Sequence, residues 1–349
     1  MREDGEYPFF TCSRENYKID TYAFDCEALL IAGNGDVGET KYYKGKFDAY
    51  QRTYVLSDFT DNANVFYLFH YVRGYLKRFA LQKSKKGSIP YITLGTLQEF
   101  QIPLPPLAVQ SEIVRVLDKF TLHKAELAAE LAARLQQYEY YRDKLLTFDD
   151  TVKRVKLGEV GEFIRGNGLQ KKDFVDEGFP CIHYGQIHTY YGTFTTKTKS
   201  FVANSLYSKL KKAHTGDLII ATTSEDAEGV CKAVAWLGKE DVAVSGDAYI
   251  FRHSQNPKYM AYLFQTEQFL KYKKKAATGT KVVRVSGESM AKFEFAIPSL
   301  EAQERIVSIL DRFDTLCHDI REGLPAEIDL RQKQHEHYRD KLLTFDAKG

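Results

Sequence analysis

The octapeptide Tyr-Arg-Asp-Lys-Leu-Leu-Thr-Phe at 141–148 decides the architecture, because the same eight residues recur at 338–345. Eight successive identities indicate an internal repeat. The match continues upstream, where Gln110, Ile113, Leu117 and Phe120 return as Gln303, Ile306, Leu310 and Phe313. The chain of 349 residues therefore contains two related halves, which agrees with a length sufficient for about two domains.

Each half ends in a sequence typical of a long helix. No Gly or Pro occurs between Leu107 and Leu157, and apolar residues recur there every three or four positions, which predicts a helix with one buried face. In the second half, Gly323 and Pro325 interrupt the pattern, which resumes at 328–343. We expect two long helices that pair with each other.

The segments before these helices predict two globular modules. Short β-branched and aromatic runs, separated by Gly and Asp, are typical of strands and tight turns. The matching runs are 28–32 with 217–221, and 54–56 with 249–251. In each module a helical candidate follows, at 64–79 or 257–274, and then a lysine-rich loop. The predicted order is module, helix, module, helix.

Composition places the chain among globular proteins. Hydrophobic residues make up 44% and charged residues 28%, with a net charge of +2, which excludes disordered and membrane classes. The five cysteines form no C-x-x-C pair, so we expect neither a zinc ribbon nor a disulfide framework, and a reducing, cytoplasmic location. No apolar run is long enough to span a bilayer, and the first residues lack the order of a signal peptide.

Three enzyme-like motifs lack part of their pattern. The glycines at 33–38 have dinucleotide-fingerprint spacing, but the sequence after them is rich in Tyr, Lys and Gly, which predicts a hairpin turn. Asn-Pro-Lys-Tyr at 256–259 lacks the second proline of a methyltransferase loop and predicts a helix start. Asp25 with Glu39 and Lys41 loosely fits a magnesium nuclease, but the second module has no equivalent. No H-E-x-x-H or Cys/His metal-ligand set occurs.

Basic residues recur at the same place in both modules, at the end of a helical candidate and beside a Gly/Ser/Thr loop. Lysine binds phosphate as a point charge, so such clusters can position a DNA duplex. They comprise Arg73, Lys77, Arg78, Lys83, Lys85 and Lys86 in the first module, and Lys271, Lys273, Lys274, Lys275 and Lys281 in the second. The candidate DNA-binding residues in the turns are Asn34, Asp36, Lys41, Gln51 and Arg52, with Thr222, Thr223, Ser224, Glu225 and Asp226 in the second module.

The element from Ile102-Pro103 through Gln110, Ile113 and Leu117 to the octapeptide resembles the conserved region of type I restriction-modification specificity subunits. Its second copy, which includes 323–328, is closer still to that family. The resemblance covers nearly the whole chain. It implies an α+β fold with two tandem target recognition domains, separated by two long antiparallel, coiled-coil-like helices in a pseudo-twofold internal repeat.

The resemblance implies a target recognition domain at 1–106, a central helical region at 107–150, a second target recognition domain at 151–298 and a C-terminal helical region at 299–349. It implies a subunit without catalysis, each domain of which reads one half of a bipartite DNA site. The helices would act as spacer and as docking surface for methyltransferase subunits, and through them for the restriction and translocase subunit. S-adenosylmethionine, ATP and magnesium are expected on those partners and no cofactor on this chain. The residues expected on the docking helices are Gln110, Ile113, Leu117, Tyr141, Leu145, Gln303, Ile306, Leu310, Tyr338 and Leu342.

The first module departs from the family pattern. The second module opens with the usual family start at 155–166, whereas the first begins near a match of Tyr7-Pro8 with Phe179-Pro180, so about twenty residues lack a counterpart. Against the family pattern, the first target recognition domain is expected to be N-terminally shortened, as in a truncated or recombined allele. Its missing strand is then either dispensable or replaced from another chain.

The resemblance also sets expectations for the DNA site. An unbroken helix over 110–146 would span roughly 55 Å, close to 16 base pairs of B-DNA, an upper bound on the separation of the half-sites. Arginine prefers guanine, Asn and Gln prefer adenine, and acids accept a hydrogen bond from cytosine. Because the turns of the two modules differ in residue type, we expect the half-sites to differ.

Two other classes of function remain open. A stand-alone nuclease would cleave DNA with magnesium and lose activity on substitution of Glu39 or Lys41. A scaffold that binds other proteins would show no salt-dependent affinity for DNA. The recurring lysine clusters favour DNA.

Overall fold

The computed structural model describes residues 5–15, 17–83, 91–319 and 322–345. It divides into two compact units. Unit 1 comprises Met1–Ala128 and Glu327–Gly349, and unit 2 comprises Ala129–Ala326. These bounds differ from the four predicted segments, because each unit contains one module together with parts of both helical regions.

The secondary structure follows the predicted order. Before the first octapeptide the elements are β1 (Tyr7–Phe10), β2 (Tyr17–Ile19), β3 (Phe24–Ala32), β4 (Thr40–Ala49), β5 (Thr53–Leu56), α1 (Val65–Lys83), α2 (Leu94–Glu99) and α3 (Leu107–Leu145). The second module begins with β6 (Arg154–Lys156), α4 (Leu157–Val160), β7 (Gly161–Arg165), a 3-10 turn (Lys171–Asp173), β8 (Phe174–Val175), β9 (Phe179–Ile182), α5 (Tyr184–Thr189), β10 (Phe194–Thr195), β11 (Ser200–Val202), α6 (Asn204–Tyr207) and β12 (Lys212–Ala213). It continues with β13 (Leu218–Ala221), β14 (Thr223–Ser224), β15 (Ala233–Trp236), β16 (Val242–Val244), β17 (Ala248–His253), α7 (Pro257–Leu263), α8 (Glu267–Ala276), β18 (Val283–Arg284), α9 (Gly287–Ala291) and β19 (Glu294–Ala296), followed by α10 (Leu300–His318) and α11 (Leu324–Leu343).

The module of unit 1 is one five-stranded sheet in the order β2-β1-β4-β3-β5. Strand β3, which lies between β4 and β5 and is called here the central strand, is buried from Ala28 to Ala32, because both faces of the strand are covered. Ile31 packs with Leu76 of α1 on one face, and Leu30 packs with Phe47 on the other. The turn at 33–38 joins β3 to the antiparallel β4, so the predicted hairpin is confirmed.

The module of unit 2 contains two five-stranded sheets. One has the order β10-β15-β13-β17-β7 and the other the order β12-β16-β9-β11-β8. The strand β13 is fully buried, as β3 is along its second half. Two short pairs, β14 with β18 and β19 with β6, complete the module.

The two modules share one core register. Leu29 of β3 lies opposite Leu56 of β5, and Leu218 of β13 lies opposite Phe251 of β17. The sequence match equates Leu29 with Leu218 and Leu56 with Phe251, so the two pairs are repeat counterparts. The predicted helix 257–274 is divided, however, because α7 ends at Leu263 and the Thr266 side chain caps a new helix, α8.

The match of Tyr7-Pro8 with Phe179-Pro180 is wrong. β1 runs parallel to β4 in the sheet of the central strand, as β10 runs parallel to β15. β9, which contains Phe179, lies in the other sheet of unit 2 instead. In the described part of unit 1 no strands correspond to that second sheet, so the difference between the modules exceeds the predicted twenty residues or so.

Both long helices form, and each half of α3 has its own antiparallel partner. In unit 1 the ring of Phe120 stacks on Tyr338 of α11, with centroids 5.3 Å apart. In unit 2 Tyr141 stacks on Phe313 of α10, with centroids 5.7 Å apart. These two pairs are repeat counterparts of each other. The predicted break at Gly323 is confirmed, since α10 ends before it and α11 begins after it.

Two predicted absences concern membranes and disulfides. Across the described residues, no helix has both the length and the apolar character needed to cross a membrane. All five cysteines lie in the described ranges and have free thiols.

Candidate nucleic-acid interface

A buried glutamine attaches each module to its helix. In unit 1 the Gln110 side chain is fully buried. Its Oε1 accepts a hydrogen bond from the backbone N–H of Asn64 at 2.8 Å. Its Nε2 donates to the carbonyl oxygens of Asn62 at 2.8 Å and Pro105 at 2.7 Å. Three hydrogen bonds therefore join the start of α1, the preceding loop and α3.

The same arrangement recurs in unit 2. Gln303 is fully buried, and its Oε1 accepts from the N–H of Asn256 at 3.0 Å. Its Nε2 donates to the Pro298 carbonyl at 3.0 Å and to Gln255 Oε1 at 2.9 Å. Asn256 caps α7 with Pro257 in the first turn, so the helix start predicted at 256–259 is confirmed.

An aspartate about two helical turns after each glutamine completes this attachment. We call the attachment the clamp. In unit 1 Asp118 Oδ1 lies 2.8 Å from His70 Nε2. In unit 2 Asp311 accepts from the Tyr262 hydroxyl at 2.8 Å and pairs with Lys258 at 2.6 Å. The clamp thus fixes each module to its helix by polar contacts of matched position.

The clamp changes the interpretation of several residues expected on the docking helices. Six of them are buried within their own unit and leave no surface for a partner: Gln110, Ile113, Leu117, Gln303, Ile306 and Leu310. Tyr141 and Tyr338 are partly exposed, while Leu145 and Leu342 are half-buried against their unit's core. Docking through the helices stays a prediction, now for their exposed faces.

One end of the unit 1 module gathers the predicted base-reading residues. The turn at 33–38 closes through Gly38, which has φ +77°, a conformation that favours glycine. The neighbouring turn is held to it by a hydrogen bond from the Gly33 N–H to the Arg52 carbonyl at 3.0 Å. The side chains of Asp36, Gln51 and Arg52 are exposed there. Asn34 is half-buried at the same end.

The matching end of unit 2 has a longer loop. It closes at Cys231, which has φ +62°. The Cys231 N–H donates to the carbonyl oxygen of Ala221 at the end of β13, as the Gly38 N–H donates to the carbonyl oxygen of Ala32 at the end of β3. The Thr222 N–H donates to the Asp247 carbonyl at 3.1 Å, so loop and neighbouring turn are joined as in unit 1. Glu225 and Asp226 are exposed, and Ser224 is half-buried.

Three of the predicted loop residues are held inside the module. Thr222 and Thr223 are buried, at 7% and 8% exposure, which leaves their side chains little surface for a contact to DNA. Lys41 donates to the carbonyl oxygens of Ser13 at 3.1 Å, Arg14 at 3.3 Å and Glu15 at 3.2 Å. It therefore holds a loop, and burial lowers the pKa of its ammonium group.

Helix α1 carries three exposed cations of unit 1. Arg73, Lys77 and Arg78 are exposed and line one shallow surface depression. They have no carboxylate partner within the ranges that the structure describes. Lys83 is exposed but pairs with Glu99 at 2.7 Å. Lys85 and Lys86 lie outside the described residues.

Three lysines of the basic cluster of unit 2 are engaged within the module, one with backbone carbonyls and two with glutamates. Lys273 is only 5% exposed, and its ammonium donates to the Glu228 and Val230 carbonyls, the latter at 2.7 Å. Lys273 thus closes the long loop from inside, and its ammonium group has little surface left for a DNA contact. Lys274 pairs with Glu228 at 2.5 Å, and Lys271 pairs with Glu267 at 2.8 Å.

Lys275 and Lys281 stay exposed in unit 2, and neither has an acidic partner among the described residues. Sequence reasoning missed Arg165 and Asn167, which belong to the same end of the module. Arg165 donates to the Gly246 carbonyl at 3.0 Å, and both side chains are exposed. Their signal was the family start at 155–166, which contains Arg165 and ends one residue before Asn167.

The nuclease constellation is not assembled. Asp25 lies opposite Lys46, whereas Thr40 lies opposite Ile31, so Glu39 is about 20 Å along the strand from Asp25. A magnesium site needs its carboxylates within a few ångströms of one ion. Among the described residues, no group of His, Cys, Asp or Glu could hold a metal.

Comparison with known proteins identifies this scaffold. The family model for the type I restriction modification DNA specificity domain matches residues 1–137 and 149–330. The chain belongs to the type I restriction-modification specificity family. This specificity subunit is 30% identical to a putative type I restriction enzyme specificity subunit, S.HindORF215P, of Haemophilus influenzae, over 99% of the chain and 90% of that protein. It is 34% identical to the EcoR124I/EcoR124II specificity subunit of Escherichia coli, over 80% of the chain and 70% of that protein.

Solved structures share the fold of this specificity subunit. The S subunit of a type I restriction-modification system from Mycoplasma genitalium aligns over 99% of the chain and 90% of its own length, with a TM-score of 0.55 and 16% identity. A chain from a structure on complex assembly and conformational transition of the type I R-M system aligns over 97% and 92%, with a TM-score of 0.59 and 16% identity. The α+β fold expected from the resemblance is thus confirmed.

Proposed function

We propose that this specificity subunit reads a bipartite DNA site, one half with each module, and itself performs no catalysis. The observation that carries the proposal is the repeated end of the two modules. Both place a loop and a neighbouring turn at the same end of the same core strands, and the exposed side chains there differ. A shared scaffold with different polar groups suits two different half-sites.

The contacts divide by chemistry. Exposed cations that have no acidic partner among the described residues, such as Lys77, Arg78 and Lys275, suit phosphate groups and would position the duplex. Arg52 and Gln51 in unit 1, and acidic groups of the long loop in unit 2, suit base edges. Each module would therefore combine sequence-independent affinity for the DNA backbone with its own preference for a base sequence.

The helices are proposed as spacer and docking surface for methyltransferase subunits, and through them for the restriction and translocase subunit. Exposed apolar and aromatic side chains on the helices suit this role, because a partner that covers them would bury apolar surface. They include Leu122, Tyr140, Tyr141, Ile309, Leu316, Leu330 and Tyr338. S-adenosylmethionine, ATP and magnesium would act on those partner subunits, in the cytoplasm.

Selection from a randomised duplex pool tests the proposal, with the purified chain alone and with a methyltransferase subunit. We expect a gapped motif with two unlike halves. Replacing Glu225 and Asp226 by Ala should alter one half alone, and replacing Gln51 and Arg52 by Ala should alter the other half alone. Identical halves, or the same change from both pairs, would contradict the proposal, and absence of binding in every condition would favour a scaffold.

A further inference from the structure

The two sheets of unit 2 meet at one turn. Residues 245–247 join β16 of one sheet to β17 of the other. The Thr222 N–H donates to the Asp247 carbonyl at 3.1 Å. The Tyr184 N–H, which follows β9 of the other sheet, donates to the Ser245 hydroxyl at 2.8 Å. The end of the module that carries the loop at 222–231 therefore includes segments of both sheets.

A loop of the other sheet lies beside this turn. β12 pairs antiparallel with β16, with Lys212 opposite Ala243, so the residues before β12 lie next to those after β16. The Asn167 side chain holds this loop, because its Oδ1 accepts from the Lys211 N–H at 2.7 Å and its Nδ2 donates to the Lys209 carbonyl at 3.1 Å. The backbone of the loop is thus fixed beside the turn.

This loop and the loop at 222–231 lie on different sides of the turn. β17 lies between β13 and β7 in their sheet. The loop at 222–231 follows β13, whereas Asn167 comes two residues after the end of β7. Ala221 and Arg165, the last residues of these strands, lie at the start of β17. The start of β17 therefore separates the two loops.

The two sides carry opposite charge. The exposed acidic side chains of the loop at 222–231 include Glu225 and Asp226. On the other side Lys209 and Lys211 are exposed, and neither has an acidic partner among the residues that the structure describes. Arg165 is exposed as well, and its Nη2 lies 4.0 Å from Asp247 Oδ1. Because phosphate groups are repelled by carboxylates and attracted by lysine and arginine, the second side suits the backbone of a duplex.

We propose that Arg165, Lys209 and Lys211, called here the basic patch, bind phosphate groups of the duplex whose bases contact the loop at 222–231. The inference rests on the proposed function, in which the acidic groups of that loop meet base edges. A carboxylate accepts a hydrogen bond from the amino group of cytosine, but it gives the duplex no affinity for the loop through its phosphates. The basic patch supplies that affinity from the other side of the turn.

The salt dependence of DNA affinity tests the proposal. The full chain is measured in the form that selects a motif, alone or with a methyltransferase subunit. We expect Lys209→Ala with Lys211→Ala to lower the slope of log affinity against log salt by about 2 and to leave the selected motif unchanged. Lys209→Arg with Lys211→Arg should keep the slope, because both charges remain. An unchanged slope in the alanine variant, or an altered motif, would overturn the proposal.

Lys239→Ala is the matched control for Lys211→Ala. Lys239 is exposed in the turn before β16, whereas the Lys211 carbonyl accepts from the Val244 N–H at the other end of that strand, at 3.0 Å. We expect a fall in slope of about 1 for Lys211→Ala and none for Lys239→Ala. An equal fall in both variants would assign the effect to net charge and overturn the proposal.

The outcomes also separate this inference from the function on which it rests. A gapped motif selected by the unaltered chain, together with an unchanged slope in Lys209→Ala with Lys211→Ala, would overturn the basic patch alone. Absence of salt-dependent DNA binding by the unaltered chain in every form would overturn the proposed function and the basic patch together.

Discussion

Replacement of Gln303 by Leu tests whether the clamp holds the module of unit 2 to its helix. The substitution keeps a side chain of similar volume in a fully buried position. It removes the acceptor for the Asn256 N–H and the donor for the Pro298 carbonyl and Gln255 Oε1. No other residue of the clamp is changed, so the effect reports these three hydrogen bonds.

The expected loss of stability follows from the geometry. A protein hydrogen bond contributes about 0.5–1.5 kcal/mol net, and a buried group left unsatisfied costs about 1–3 kcal/mol. Pro298 and Gln255 are half-buried, so water replaces part of what they lose. We therefore expect the free energy of unfolding of unit 2 to fall by about 3 kcal/mol. With a urea dependence of about 2 kcal/mol per molar, the midpoint falls by about 1.5 M.

The single tryptophan provides the assay. Trp236 is buried in unit 2, where its indole N–H donates to the Glu240 carbonyl at 2.8 Å. Its fluorescence during urea unfolding therefore reports that unit. Gln110→Leu is the matched control, because it breaks the same clamp in unit 1. A Gln303→Leu midpoint within about 0.2 M of the unaltered protein, or an equal shift from Gln110→Leu, would refute the reasoning.

Three further outcomes concern charged groups. Lys273→Ala should destabilise unit 2 by about 2 kcal/mol in the urea assay, because two carbonyls lose their donor, yet leave the salt dependence of DNA affinity unchanged. Lys77→Ala with Arg78→Ala should do the reverse, lowering the slope of log affinity against log salt by about 2 without moving the Trp236 midpoint. Burial lowers the pKa of His253 from 6.5 to about 4, so the folded state favours neutral imidazole. The free energy of unfolding therefore keeps its full value above about pH 6.5 and decreases as the pH falls towards 4. The melting temperature of His253→Gln should decrease less over that range.

The sequence predicted the features that depend on local pattern. The repeat located both long helices and the break at Gly323, and the glycines at 33–38 indicated a turn that the structure confirms. The strand match 54–56 with 249–251 was correct in register. These features depend on periodicity, on backbone conformation and on two copies that support each other.

Features that depend on tertiary contacts were not predictable. Lys273 stands in a run of lysines, and only the fold shows that its ammonium group enters the module. Thr266 ends one helix and starts another without a nearby Gly or Pro. The match of Tyr7-Pro8 with Phe179-Pro180 rested on two residues, too few to distinguish strands of different sheets.

The clamp has a consequence for how such a protein changes during evolution. Its contacts are made by Asn64, Gln110 and Asp118, and by their repeat counterparts, and none of these lies in the turns at 33–38 and 222–231. If these turns read DNA as proposed, mutations at 33–38 or 222–231 would alter what a module reads while the attachment keeps its free energy. A module from another gene that preserves the asparagine cap and a donor for the aspartate would fit the same helix. New specificities would then arise by exchange of coding segments, without redesign of the fold.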